Sequence, residues 1–539
     1  MRLFIFALAV FFSSKSLAQY IPIIPNISIE NLKKDTKEFS SDYYQGRKPF
    51  SLGETRSLKY LKTRFQKIGL QPGNGKSYFQ AVPMMETKIT HTTDLTVSSA
   101  NQKFDLKYMQ DFVLLAQTPK PEIELNDEVV FAGYGVVAPE YDWNDYAGID
   151  VKNKVVLVLV NDPGYGTQDT TIFKGKTMTY YGRWTYKFEE ATRQGAKACF
   201  IIHNTAAASY PFSVVQTSNN GDDLYLDERN NPKPHIDLAG WVSADAAKKI
   251  LTAAGKDTSL IVSANKRTFK PLDLGLKFSL KANVSTHYST SQNVIGKITG
   301  TKRPDEVIVY TAHWDHLGIG IPDERGDSIY NGALDNATGI AGLLELARNF
   351  KKLKIKPERT IVFLAVTAEE QGLLGSKYYA ENPIYPLKIT VANINMDVLN
   401  VNERTRDIYL GGAGQNDLED DVAEMAPLLE RYITKGGHDT GGGFFRSDHF
   451  NFVKAGVPAL VAGSGRDVVK KQNEVMGRMG QYGGSTYHKP TDEYNPAWTF
   501  EGAAEDLKLY FMIGHKLAMS NKWPAWKESS EFKAARDKN

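Results

Sequence analysis

Cysteine is nearly missing: Cys199 is the only one among 539 residues, which excludes an intrachain disulfide framework and any cysteine-based zinc knuckle. A metal, if bound, must be held by His, Asp and Glu. Net charge is nearly missing too, with 65 Lys and Arg against 62 Asp and Glu, a balance of +3 and a pI of about 8.4. That argues against a nucleic-acid partner, which calls for a clustered basic face. No uncharged apolar run approaches the ~20 residues of a membrane span, and no repeat is evident. The rest is ordinary globular composition, 42% apolar and 24% charged, enough for a sizeable core in several units.

Arg2 precedes a ten-residue apolar run, Leu3 to Phe12, and the small residues Ser16 and Ala18 stand three and one before a cut after Ala18. This pattern predicts a signal peptide over 1–18 and a periplasmic or secreted chain. Export agrees with a chain that needs no disulfide although the compartment would permit one. From Ile29 to Leu70 the pattern is helical, with Leu58, Leu61, Phe65 and Ile68 at spacings of three and four and a stop at Gly69 and Pro72. Short apolar runs then predict strands at Leu95 to Val97, Val129 to Tyr134, Val155 to Val160, Lys197 to His203 and Leu260 to Ser263.

After Asn293 strands and helices alternate: strands at Val307 to Ala312, Thr360 to Thr367, Ile389 to Asn395 and Pro458 to Ala462, and helices at Ala337 to Leu353, Gly372 to Glu381, Asp417 to Tyr432 and Ala503 to Ser520. The fold class predicted is α/β, an open, mostly parallel sheet flanked by helices, with an inserted β-rich unit. The divisions expected are an N-terminal part of the α/β domain at 19–119, the β-rich insertion at 120–275, the α/β core at 276–525 and a polar tail at 526–539.

In an open α/β sheet the ligand crevice lies at the carboxyl ends of the strands, and here those ends carry metal-ligand types. The first ends in His313-Trp314-Asp315, where Asp315 is placed to accept the proton of the second ring nitrogen. Asp335 stands at the mouth of the next helix, either as a plain N-cap or as a carboxylate able to bridge two cations. Glu369-Glu370 follows the second strand; two adjacent acids repel unless a cation or proton separates them, so one is expected on metal and one free as base. Asp397 follows the third strand, and His488, with Asp492 four residues on, comes late in the chain. Two His and three carboxylates make two three-ligand sites that share one acid, the open pattern of catalytic zinc.

The motifs His313-x-Asp315, Gly332-Ala333-x-Asp335-Asn336-Ala337-x-Gly339, Glu369-Glu370-x-Gly372, Asn395-Met396-Asp397, Ser447-Asp448-His449 and Tyr487-His488 together resemble the di-zinc exopeptidases of the aminopeptidase Y and glutamate carboxypeptidase type. Gln45-Gly46-Arg47 resembles that family's N-terminal portion. Phe131-Ala132-Gly133-Tyr134-Gly135, Val151 to Val156 and Gly195 to Ala198 resemble the protease-associated domain that members often carry as an insertion. The resemblance implies two Zn2+ ions bridged by Asp335, one completed by Glu370 and His488 and the other by His313 and Asp397. It implies Glu369 as the general base acting on the metal-bridging water, Asp315 as a residue that supports the metal ligands without touching the metal, and Tyr487 as a stabiliser of the oxyanion. The residues alone cannot order Glu369 and Glu370; only the resemblance does.

The leading expectation is an aminopeptidase acting on a peptide or dipeptide. The alternatives are a carboxypeptidase or dipeptidase of the same family, a single-zinc glutaminyl cyclase on the same fold, and a receptor-like binding protein that would be expected to lack ligands. Oligomeric state is not written in the sequence. His316 and His449 read as structural or pocket neighbours, Gly411-Gly412 and Gly441-Gly442-Gly443 as loop geometry, and Arg446 as a solvated or structural arginine rather than a carboxylate binder. Ser447-Asp448-His449 cannot form a hydrolase triad, since contiguous residues do not meet in that geometry. The basic stretch from Lys470 to Arg478 reads as an exposed loop before His488.

Overall fold

The computed structural model describes residues 20–538 apart from 168, 220–222, 435–438 and 470–485; the expected signal peptide and the basic loop fall outside these. Two helices open the chain. Helix α1 (Ile29–Phe39) is capped by the Ser28 hydroxyl, which accepts from Asn31 N–H, and α2 (Leu52–Ile68) by Ser51, which accepts from Glu54 N–H. Gly69, at φ +83°, ends α2 in the left-handed conformation that glycine adopts without strain. Strands β1 (Phe79–Thr92), β2 (Phe112–Ala116), β3 (Glu122–Phe131) and β4 (Val155–Leu159) follow, then helix α3 (Trp184–Arg193), and strands β5 (Ala198–Ile202) and β6 (Leu238–Val242).

Strand β7 (Leu272–Ile298) is 27 residues long. Beyond it, β8 (Arg303–His313), helix α4 (Thr338–Lys352), β9 (Arg359–Val366), helix α5 (Leu374–Glu381), β10 (Thr390–Asn395), β11 (Ala459–Leu460) and helix α6 (Glu501–Met519) complete the α/β unit. One sheet runs through the molecule in the order β11-β10-β8-β9-β7-β3-β4-β5-β6-β2. Strands β8 to β11 are mutually parallel where they pair, as are β3 to β6. Strand β7 runs antiparallel to both blocks, its Val294–Ile298 end on β9 and its Leu272–Asn283 end on β3. Every residue of β9 is buried, the pattern of a strand covered on both faces.

The mostly parallel α/β architecture agrees with expectation, and two local readings need correction. Leu260 to Ser263 is not a strand but part of a helix, Ser259–Ser263; three apolar residues fit either period, and the Asp257 carboxylate accepting from Ser259 N–H starts a helical turn instead. The helix expected to reach Tyr432 stops at Met425, continues as one tight turn through Pro427 and gives way to a short strand at Tyr432–Ile433. The expected division at 275 falls inside β7, and β2, upstream of residue 120, pairs with β6 of the β-rich unit.

The β-rich unit shares a hydrophobic core with the α/β unit. Tyr180 packs on Phe450 with ring centres 4.8 Å apart and Tyr186 on Tyr180 at 5.3 Å, while Phe444, Phe445 and Trp526 join the cluster built on β3 to β6. Among the described residues no helix is long and apolar enough to cross a membrane.

Candidate metal centre

The apolar strands β8, β9 and β10 end side by side, and their first polar residues meet above the sheet edge. His313, the last residue of β8, is 1% exposed. Its Nε2 stands 3.2 Å from Asp335 Oδ1 and 3.3 Å from Asp397 Oδ1. Asp335 lies in an irregular turn, Ala333–Ala337, ahead of α4, and its peptide to Asn336 is cis. The other oxygen of Asp335 is 3.6 Å from His488 Nε2, which is 2.9 Å from Glu370 Oε2. The structure thus brings His313, Asp335, Asp397, Glu370 and His488 together, with Asp335 between the two imidazoles.

Supporting contacts hold this arrangement. Asp492 accepts from Leu334 N–H at 2.9 Å and Asp335 N–H at 3.1 Å, fixing the turn that presents Asp335. Asp315 is fully buried and accepts from the N–H groups of Glu369, at 3.1 Å, and Glu370, at 3.4 Å. That corrects the expected pairing of the Asp315 carboxylate with His313. The His313 Nδ1 instead meets the Asp315 backbone carbonyl at 3.2 Å, and the carboxylate is 3.9 Å away. The Asp315 side chain acts on the Glu369-Glu370 backbone because those two amides would otherwise lack an acceptor. Tyr487 stacks on His488 with ring centres 3.8 Å apart and is 47% exposed, at the mouth of the site.

Two readings gain from the structure. His316, taken from sequence as a neighbour, donates or accepts at 2.5 Å to Glu370 Oε1 and groups with Asp335 and Glu370 as possible ligands. Its signal was its place directly after Asp315 at the same strand end. His449 is buried away from the ligands against Phe444, its rings 4.8 Å apart. Arg446 spends its guanidinium on the Gly441 carbonyl at 2.6 and 3.1 Å. Asp448 bonds the Ser376 hydroxyl at 2.6 Å.

The electrostatics separate the two adjacent glutamates. Burial alone would raise both, and Asp335 adds to this at Glu370, but His316 and His488 hold Glu370 down at about 2. Glu369 rises well above the usual carboxylate range through burial, with Asp397 and Glu370 adding to it against His313. Asp335, which burial would raise, is held well below its ordinary value by His313 and His488. Burial opposes the charging of His488, yet Glu370 and Asp335 lift it to about 10. Asp315, desolvated, rises to about 7.

Does the donor set fit cations? Among the described residues His488 Nε2 lies 2.9 Å from a carboxylate oxygen but makes no hydrogen bond, and buried His316 Nε2 has no hydrogen-bond partner either. Three groupings, His313 with Asp335 and Asp397, His316 with Asp335 and Glu370, and His313 with Glu369 and Glu370, have ligand atoms within 4.8 Å of one another. Imidazole plus carboxylate suits zinc and similar divalent ions, and the residues fit.

Residues 293–512 match the model of peptidase family M28. Aminopeptidase YwaD of Bacillus subtilis is 31% identical over 206 residues, 36% of this chain and 40% of the relative. A probable zinc metalloprotease of Pyricularia oryzae is 42% identical over 149 residues, 28% of this chain and 26% of the relative. The chain therefore spans about a quarter to two fifths of the length of these relatives. The solved aminopeptidase from Aneurinibacillus sp. strain AM-1 superposes with a TM-score of 0.50 and 20% identity over 92% of this chain and 95% of that one, a likeness of fold.

Proposed function

We propose that the chain is a zinc-dependent exopeptidase, an aminopeptidase that hydrolyses the N-terminal bond of a peptide or dipeptide. The observation that carries this reading is Asp335 standing between His313 and His488, with Asp397 and Glu370 on either side. His313, Asp335 and Asp397 would hold one Zn2+, and Asp335, Glu370 and His488 the second. When bound, such a pair lowers the pKa of a water and polarises the scissile carbonyl.

This chain's own residues supply the rest. Glu369 would take the proton of the attacking water and deliver it to the departing amine. Its raised affinity for protons and its freedom support the role: its carboxylate makes no hydrogen bond to another described residue. Asp315 holds the Glu369 backbone in place from below. Burial keeps Tyr487 protonated, so its hydroxyl at the cleft mouth would donate to the developing oxyanion. The names of the curated relatives, an aminopeptidase and a probable zinc metalloprotease, agree with this chemistry. We also propose that residues 1–18 direct export to the periplasm or exterior, and that the β-rich unit is a protease-associated domain.

The test is metal content and turnover together. The purified chain should bind two zinc ions and cleave amino-acid anilides and dipeptides with a free amine; a chelator should abolish turnover and zinc restore it. Turnover that survives complete stripping would overturn the reading. Cleavage that is stopped by blocking the substrate carboxyl instead of the amine would replace the aminopeptidase with a carboxypeptidase, and a single bound zinc would favour the cyclase.

A further inference from the structure

The segments that present His313 and Asp335 are separated by a long loop, yet both are tied to one side chain far upstream, Arg47. Gln45, Gly46 and Arg47 all have positive φ, +48°, +65° and +52°, which turns the arginine inward beneath the candidate centre. Gly46 allows the approach: a Cβ there would lie 2.4 Å from the Gly318 carbonyl oxygen and 2.6 Å from that of Tyr330. The side chain is 1% exposed. Its Nε donates to the Trp314 carbonyl at 2.9 Å, Nη1 to those of Phe39 at 3.2 Å and Asn331 at 2.5 Å, and Nη2 to that of Gly332 at 2.8 Å.

Trp314 sits between His313 and Asp315, and Asn331-Gly332 leads directly into the Asp335 turn. One rigid planar fork therefore spans both ligand-bearing backbones. Among the described residues no carboxylate forms an ion pair with Arg47; Asp492, Asp315, Asp335 and Glu370 act on it only through space. A buried guanidinium without an ion-pair partner is costly to keep for packing alone, and its positive charge opposes cations nearby. What it contributes is placement, since ligands must stand within about 0.5 Å of a productive geometry.

We propose that Arg47 is a positioning residue for the cation centre, its guanidinium setting the separation of His313 from Asp335 and so the affinity for zinc. This rests on the zinc reading above. The test is zinc titration of the metal-stripped full chain by competition with a chromophoric chelator, alongside thermal unfolding of the stripped protein. Arg47→Met should weaken zinc at least ten-fold, and Arg47→Lys should fall between, because an ammonium cannot bond carbonyls in a fixed plane.

Arg359 provides the control: it is equally buried and donates to the carbonyls of Leu517 and Lys522 at 2.7 Å, but it serves the opposite end of β9. Arg359→Met should lower thermal stability and leave zinc affinity unchanged. Unchanged or tighter zinc binding by Arg47→Met would overturn the proposal; should that variant not fold, unchanged affinity in Arg47→Lys overturns it equally. A wild-type chain that takes up no zinc would instead defeat the proposed function, and this inference with it.

Discussion

Two blocks of parallel strands lie in the same sheet, each ending in buried acids, and they treat those acids in opposite ways. In the β-rich block, Asp162 follows β4 and accepts from Gly164 N–H at 3.0 Å and from the Thr179 amide and hydroxyl, both at 2.8 Å. Asp145 accepts from Tyr134 and Val136 N–H and from the Trp143 indole. Lys187, fully buried, lies near both acids and donates to the Asn161 and Tyr181 carbonyls at 2.8 and 2.6 Å. Those two acids are satisfied by donors of their own block. In the α/β block, Asp335, Asp397 and Glu370 crowd against the imidazoles of His313, His316 and His488, and among the described residues His316 Nε2 and His488 Nε2 make no hydrogen bond. The difference teaches where an exogenous cation is wanted: not where buried acids have their own donors, but where carboxylates and imidazoles converge with ring nitrogens left unbonded.

The largest way to sharpen the contrast is within the α/β block. Glu369→Gln should keep both zinc ions and lose ~10²-fold or more in turnover, about 3 kcal/mol of barrier, because a base is removed and no ligand is. Metal analysis beside steady-state kinetics decides it, and parallel loss of zinc and rate would break the separation of Glu369 from Glu370. In the β-rich block the effect should fall on stability instead. Lys187→Met, which strips two charge-assisted hydrogen bonds and leaves Asp145 and Asp162 without their cation, should cost about 3 kcal/mol in urea unfolding with zinc affinity unchanged. A change in zinc affinity would show that the blocks are not independent.

The smallest effect concerns acid. His515, on α6, is held by burial at about 4, below its ordinary 6.5, and its Nδ1 meets the Tyr20 hydroxyl at 2.8 Å. The folded chain then binds fewer protons than the unfolded one between these values. This contribution to stability is intact above pH 6.5 and declines as pH falls toward 4, by on the order of 2 kcal/mol near pH 4.5. Metal-free His515→Phe should show a shallower loss of stability between pH 7 and 4.5 than the metal-free wild type. An unchanged slope would assign the acid sensitivity to other groups.

How much of this could be read from the chain follows from what periodicity encodes. Strands β8, β9 and β10 were legible because continuous apolar runs imply burial on both faces, and His313, Asp335, Glu369, Glu370, Asp397 and His488 stood out because each lies at a strand end or in a loop beside one. Strand β7 was not legible: buried and exposed residues alternate along much of it, and its length exceeds any single apolar run. The work of Arg47 and Asp492 was invisible for a different reason. Both act on backbone atoms more than a hundred residues away, and no local pattern marks a side chain whose partners are distant carbonyls and amides. The Asp315 pairing was misread because spacing gives proximity to His313 but not the competing claim of two amides just past the end of β9.

Strand β7 has a consequence for how substrate enters. Two-lobed enzymes commonly admit their ligand by hinging one lobe away from the other. Here one strand pairs with β3 along its Leu272–Asn283 end, with a register shift between Asp273 and Lys277, and with β9 along its Val294–Ile298 end, so such a motion would have to bend or break a shared spine. For the proposed exopeptidase, that leaves entry and exit to the loops above the strand ends.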